Sequence, residues 1–151
     1  QFVSLKPYKI VLTGRTQSFI IAFGEELNED NANRAITYAC QKTNCIVHEY
    51  VAGPLFYINR KGCHEWIIEF NEKPKNLKKF ISLLDEKLQL LNSDYKAKRY
   101  KNILLQMPVV HCVNRNFFYK FMKNKNKIGG QNKIQRLHNN RNFITQLIKK
   151  L

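Results

Sequence analysis

The periodic spacing of apolar residues between positions 77 and 91 is the strongest constraint on the fold of this chain. These residues recur at intervals of three or four, which is the spacing of one helix face. A helix with one apolar face must bury that face against another element, and we expect it to pack on a sheet. The predicted helix ends at Asn92, and its apolar face consists of Leu77, Phe80, Ile81, Leu84, Leu88 and Leu91.

Further elements flank this helix on both sides. Residues 29–42 carry a second helical pattern, and three short helices are predicted over residues 93–101, 117–122 and 143–151. Alternation and β-branched residues predict strands over 8–12, 19–21, 45–51, 55–58, 65–70 and 107–113, the first two joined at Gly14. A polar turn at 59–62 makes the strands on either side of it a hairpin.

The element order predicts the fold class. A chain of 151 residues is the size of one ordinary domain. Strands and helices interleaved with a hairpin favour an α+β two-layer sandwich over a doubly wound parallel sheet. We therefore expect a small mixed or antiparallel sheet packed against several helices.

Charge divides the chain unevenly. Residues 1–94 contain all 11 Asp and Glu beside 12 Lys and Arg, whereas residues 95–151 contain 14 Lys and Arg and no acid. This asymmetry indicates that the last third faces an anion, such as nucleic acid, a lipid surface or a phosphate-bearing ligand. Composition offers a simpler explanation of the excess positive charge. Lys far outnumbers Arg, and Asn is also frequent, which is the composition that an AT-rich coding sequence produces.

Residues 127–137 form the segment of the chain that is hardest to explain as part of a hydrophobic core. Two adjacent glycines allow unusual backbone conformations, and Gln131, Lys133 and Arg136 offer hydrogen-bond donors. No carboxylate in that third of the chain is available to satisfy them, whereas an external anion would do so. The alternative is a solvated surface loop.

Four segments in a fixed order give the chain a family resemblance: TGRT at 13–16, FGEEL at 23–27, LNSDY at 91–95 and GGQNKIQRL at 129–137. Together they resemble the C-terminal domain of the auxin-responsive (Gretchen Hagen) family of acyl-acid amido synthetases, within the adenylate-forming superfamily. The likeness covers nearly the whole chain and is greater to bacterial members than to plant ones. Two positions depart from the family: Gln135 replaces a common proline, and Glu26 stands where plant members tend to have lysine.

The resemblance implies an enzyme of which this chain is one part. Such enzymes use ATP, with Mg²⁺, to convert a carboxylic acid to an acyl-adenylate and then transfer the acyl group to an amino acid. Residues 1–17 are expected to form the interdomain boundary or hinge and the first strand, and residues 18–151 a single mobile C-terminal domain. Its partner is the enzyme's own N-terminal adenylation domain, and the C-terminal domain alone is expected to be inactive.

The resemblance also assigns roles to individual residues. Lys133 matches the catalytic lysine of the C-terminal loop, which neutralises charge that develops on the phosphates during adenylation. Thr16 and Gln17 match the hinge. The nucleotide-binding residues implied are Arg15, Gln131, Lys133 and Arg136.

Two other classes of function stay open. A nucleic-acid-binding module would use the basic tail, with stacking by Tyr95, Tyr100, Phe117 and Tyr119, but no RNA-binding signature is present and nucleic acid is not the expected partner. A non-catalytic adaptor domain is the third possibility.

The expected setting is cytoplasmic. The longest apolar runs are far shorter than a membrane span requires, so no membrane association is expected. No metal site is expected from the cysteines, which we interpret as reduced thiols. Among residues without an assigned function, His48 and His64 are predicted to be hydrogen-bonded structural histidines, Trp66 to be core, and Asp85 with Glu86 to form a solvated helix face.

Overall fold

The computed structural model describes residues 2–5, 8–10, 18–58, 61–124 and 133–151, the first two stretches as backbone. The strands are β1 (Phe2–Leu5), β2 (Tyr8–Ile10), β3 (Phe19–Ile20), β4 (Leu27–Asn28), β5 (Ile46–Phe56), β6 (Gly62–Glu72) and β7 (Val109–Val113). The helices are α1 (Glu29–Thr43), α2 (Leu77–Leu91), α3 (Ser93–Arg99), α4 (Phe117–Lys123) and α5 (Asn142–Ile148), with a 3-10 turn at Tyr100–Asn102.

The largest sheet of the described residues has the order β5-β6-β7. Strands β5 and β6 pair antiparallel, and β6 and β7 pair parallel, so the sheet is mixed. Two antiparallel ribbons, β1-β2 and β3-β4, lie outside it. This arrangement confirms the predicted α+β class.

Helices cover this sheet because its central strand is apolar on both faces. Successive side chains of a strand point to opposite faces, so Trp66 belongs to one core and Ile67 to a second. The first core contains the buried residues of α1 and α2, and the second contains those of α4 and α5. Both Trp66 and Ile67 are fully buried, as predicted for Trp66.

The two long helices match their predictions and begin at asparagine caps. Asn28 accepts a hydrogen bond from the backbone N–H of Asn31 at the start of α1, and Asn76 accepts one from Lys79 at the start of α2. An Asn cap contributes about 1 kcal/mol to helix stability. Helix α1 ends at Asn44, which adopts a left-handed conformation with φ of 50°.

Strand β5 differs from its prediction because it continues through Gly53 and Pro54, where the sequence predicts a break between two strands. The backbone N–H of Ala52 points away from β6, toward the open edge of the sheet, where it donates to the carbonyl of Arg136. Pro54 lies two residues further on and faces the same way. Its missing N–H therefore removes no bond to β6, and an edge strand tolerates it.

The N-terminal strands were predicted in part. Strands exist at Tyr8–Ile10 and Phe19–Ile20, but each pairs with a strand that the sequence pattern did not predict, β1 and β4 respectively. The connection at Gly14 lies outside the described residues, as do residues 59–60 of the predicted turn.

Candidate functional site

Residues 136–138 are fixed to the open edge of β5. Leu137, which is fully buried, forms a parallel bridge with Ala52. The N–H of Ala52 donates to the carbonyl of Arg136 at 2.7 Å, and the N–H of His138 donates to the carbonyl of Ala52 at 2.9 Å. Residues 136–138, the docked segment, thus extend the sheet by one short strand and satisfy backbone groups of β5 that would otherwise face solvent.

The Arg136 side chain reaches from this segment to two other elements. Its Nε donates to Glu49 Oε1 of β5 at 2.7 Å, and its Nη1 donates to Asn33 Oδ1 of α1 at 3.2 Å. Nη1 also lies 3.5 Å from Glu29 Oε1, and the guanidinium lies 5.1 Å from the centre of the Tyr50 ring. One side chain therefore joins the C-terminal segment to both α1 and β5.

Arg136 and Tyr50 each have a raised pKa in this cluster. Burial lowers the pKa of Arg136, but the hydrogen bond and charge of Glu49 raise it above its usual value overall. Burial raises the pKa of Tyr50, whose hydroxyl donates to Asn33 Oδ1 at 2.7 Å. Arg136 is a cation and Tyr50 a neutral phenol at neutral pH.

Arg136 pairs with carboxylates from outside its own third of the chain, which as expected contains none. The fold likewise brings acids from the first two-thirds of the chain to two other arginines of the last third. Arg99 pairs with Asp85 at 2.7 Å, and Arg141 pairs with Glu65 at 2.5 Å. Ion pairs between residues distant in sequence thus neutralise part of the positive charge of the last third. The sequence of the last third alone does not reveal these pairs.

Lys133 lies three residues before Arg136 and is exposed. Three residues span at most roughly 11 Å when extended, so the docked segment restricts the positions that Lys133 can reach. The other predicted residues of the site lie outside the described part of the chain: Arg15, Thr16, Gln17 and Gln131.

Local hydrogen bonds hold the docked segment where the family commonly has a proline. The side-chain amide of Gln135 donates to the carbonyl of Leu137 at 2.8 Å. The Nε2 of His138 lies 2.9 Å from the carbonyl of Gln135, and the His138 ring stacks on Phe143 with centroids 4.5 Å apart. These contacts restrain the backbone around Gln135.

An open groove of about 700 Å³ runs between α1 and β5, with Arg136 contributing to its lining. Residues of α1 and of the start of β5 line most of it, among them the polar Asn33 and His48. Cys40 and Cys45 also line it, with their sulfur atoms 3.5 Å apart. Burial and the neighbouring Cys45 thiol raise the pKa of Cys40 to about 12, so Cys40 is a neutral thiol at neutral pH.

Two acidic residues, Asp85 and Glu25, are buried and bind partners within the fold. Asp85 is buried, and the prediction that it lies on a solvated helix face was wrong, although its neighbour Glu86 is exposed. Glu25 and His64 are both fully buried, with Glu25 Oε1 2.7 Å from His64 Nε2, which confirms a hydrogen-bonded structural histidine. The residues next to Asp85 and Glu25 in the sequence do not indicate that these acids are buried, because the burial of each acid depends on a partner that is not its sequence neighbour.

The comparisons with known proteins identify the family. The fold is an α+β domain whose C-terminal segment presents a lysine, and residues 30–142 match the GH3 family C-terminal domain. Since the match spans most of the chain, the chain belongs to this family, as its four segments predicted. No curated protein matches the sequence.

Solved structures agree with this fold. One is "GH3.15 acyl acid amido synthetase", with a TM-score of 0.69, 12% sequence identity and 91% of this chain covered. Another is "AtGH3.15 acyl acid amido synthetase in complex with 2,4-DB", with a TM-score of 0.69, 16% identity and 90% covered. The present chain spans 26% of each of those chains. Within the described residues, no helix is long and apolar enough to cross a membrane.

Proposed function

We propose that this chain is the mobile C-terminal domain of an acyl-acid amido synthetase, which adenylates a carboxylic acid with ATP and conjugates it to an amino acid. The match of residues 30–142 to the GH3 C-terminal domain carries the proposal. The docked segment supports it, because it is hydrogen-bonded to a sheet edge three residues after the exposed Lys133. The partner is the N-terminal adenylation domain of the same enzyme, over which this domain closes.

Lys133 suits the adenylation step. When a carboxylate attacks the α-phosphate of ATP, negative charge grows on the phosphoryl oxygens and on the departing pyrophosphate. A lysine ammonium stabilises that charge in the transition state. Lys133 is exposed, and within the described residues it makes no ion pair with a carboxylate, so its charge is available to a phosphate.

The other assignments are carried over from the family resemblance. Nucleotide contacts by Arg15, Gln131 and Arg136, a hinge at Thr16 and Gln17, and a cytoplasmic, bacterial-type enzyme all stay predictions. Mg²⁺ is expected to act with ATP in the full-length enzyme. The described residues contain no cluster of three or more metal-ligating side chains, so we assign none of them to the metal.

The direct test substitutes Lys133 in the full-length enzyme. We expect Lys133→Ala to lower carboxylate-dependent exchange of pyrophosphate into ATP by about 10²-fold, since a charge-stabilising contact is lost at the transition state. Lys149→Ala is the matched control, because Lys149 is another exposed lysine of the basic tail. Undiminished exchange in Lys133→Ala would overturn the role of Lys133.

The nucleic-acid alternative loses part of its support. Of the four aromatic residues available for stacking, Tyr95 is 1% exposed and Phe117 packs against the second core. Tyr100 and Tyr119 are exposed. Three of the tail's arginines, Arg99, Arg136 and Arg141, form ion pairs within the chain, which leaves fewer cations for a nucleic acid.

A further inference from the structure

The residue that fixes the docked segment is held at both its backbone and its side chain. The Arg136 carbonyl accepts a hydrogen bond from β5, while its guanidinium binds Glu49 and approaches Glu29. Glu49 is one residue before Tyr50, whose ring lies under the guanidinium. The four contacts come from different directions and fix the orientation of Arg136.

Lys133 has no comparable restraint of its own. Within the described residues its side chain makes no hydrogen bond or ion pair. Between Lys133 and the docked segment, Ile134 packs against the second core and Gln135 donates to the carbonyl of Leu137, and Arg136 then connects the chain to α1 and β5. The position of Arg136 therefore limits the directions in which the ammonium of Lys133 can approach a bound nucleotide.

The ion pair itself contributes little to the overall stability of the fold. The side chains of Arg136 and Glu49 are 32% and 24% exposed, and pairs this accessible are weakened by solvent. Their geometry is nevertheless specific, since a planar guanidinium presents several donors at fixed angles. The Arg136–Glu49 contact adds little stability but has a defined geometry, so it is suited to holding the docked segment in one position.

We propose that Glu49, supported by Glu29, is a positioning residue: it holds Arg136 and thereby fixes where Lys133 is presented for adenylation. This inference rests on the proposed function. It assigns Arg136 a structural task within the domain, and it gives β5 and α1, which lie far from residue 133 in sequence, a part in the reaction.

The test combines Glu49→Gln with Lys133→Ala in the full-length enzyme and measures pyrophosphate exchange. A displaced Lys133 lowers the rate, and misplacement of about 1 Å reduces rates by up to 10²-fold. We expect Glu49→Gln alone to lower the turnover number for exchange about tenfold. In the Lys133→Ala background it should have less than about a twofold effect, because Glu49 acts through Lys133.

Two further measurements separate positioning from damage to the fold. Transfer of the acyl group from a supplied acyl-adenylate to the amino acid should be unchanged in Glu49→Gln, since Lys133 serves only adenylation. Hydrogen exchange at the amides of Ala52 and His138 should be faster, because the docked segment is held less firmly. Glu72→Gln is the control: Glu72 is exposed and lines the same groove without contacting Arg136.

The outcomes distinguish the two proposals. If Glu49→Gln leaves exchange unchanged, or lowers it equally with and without Lys133, the positioning role is overturned. Equal losses in exchange and acyl transfer would likewise overturn it. If Lys133→Ala itself has no effect, the proposed role of Lys133 fails instead.

Discussion

Asp85 illustrates at the scale of single residues how the acidic part of the chain binds the basic part. Its carboxylate accepts hydrogen bonds from Arg99 Nε at 2.7 Å, Arg99 Nη2 at 2.9 Å, the Tyr95 hydroxyl at 2.7 Å and Gln89 at 2.9 Å. Burial and the Asp85 charge raise the pKa of Tyr95 well above its usual value, so its hydroxyl stays a donor. The same Arg99 donates to the carbonyl of Leu105, which ties α2 and α3 to the chain that leads into β7.

Removing the charge of Asp85 should be costly. Asp85→Asn leaves Arg99 buried without its carboxylate, and breaking a buried pair of this kind costs about 3 kcal/mol or more. Glu86→Gln, one residue further along the same helix, is exposed and should change stability by less than about 0.5 kcal/mol. Chemical unfolding of the two variants compares them, and equal stabilities would contradict the structural role of Asp85.

Sequence patterns at this scale predict which residues are apolar and buried, but not which charges meet. Trp66 could be placed in the core because it lies within an apolar strand. Arg136 and Glu49 are 87 residues apart, and Glu25 and His64 are 39 apart. Their pairing depends on the register between elements, which no local pattern determines, so an acid that is buried in the fold looked like a surface residue.

At the scale of elements, the docked segment behaves as an added strand that depends on His138. Burial lowers the pKa of His138 below its usual value, against a smaller opposing effect of the Gln135 carbonyl. The neutral ring stacks on Phe143, at the start of α5. The segment and α5 are therefore coupled through one titratable side chain.

This coupling predicts a pH dependence with a definite sign. Below about pH 6.5 the unfolded chain binds a proton at His138 more readily than the folded chain does, so stability falls as the pH falls toward the lowered pKa. Above pH 7 this contribution is constant. The difference in unfolding free energy between wild type and His138→Gln, measured from pH 7.5 to pH 5, should narrow; a constant difference would contradict the assignment.

The boundaries of an element could be predicted where its apolar residues recur regularly over a long segment. Helix α2 is found over the predicted residues because six apolar positions define one face. Strand β5 was predicted as two pieces, because Gly53 and Pro54 resemble a turn when tertiary context is unknown. Its place at a sheet edge, where a proline is tolerated, emerges only from the pairing of strands.

At the scale of the whole molecule, the chain is a GH3 C-terminal domain that spans about a quarter of the length of the solved amido synthetases it resembles. Its acid-free last third does two things in this account. Arg99, Arg136 and Arg141 bind carboxylates within the domain, and we propose that Lys133, which makes no ion pair among the described residues, binds an external phosphate. The charge division in the sequence located this region, but the ligand class follows from the family.

The central claim is that the full-length protein forms an acyl-adenylate, and an isotope experiment tests it most directly. The enzyme is incubated with ATP, an amino acid mixture and a panel of carboxylic acids labelled with ¹⁸O in the carboxylate. Attack on the α-phosphate releases pyrophosphate, and attack of the amine on the acyl carbon then forms the amide and leaves one carboxylate oxygen on AMP. We expect ¹⁸O-labelled AMP together with the amide. Amide formation with the label in inorganic phosphate, or with unlabelled AMP, would contradict an acyl-adenylate intermediate.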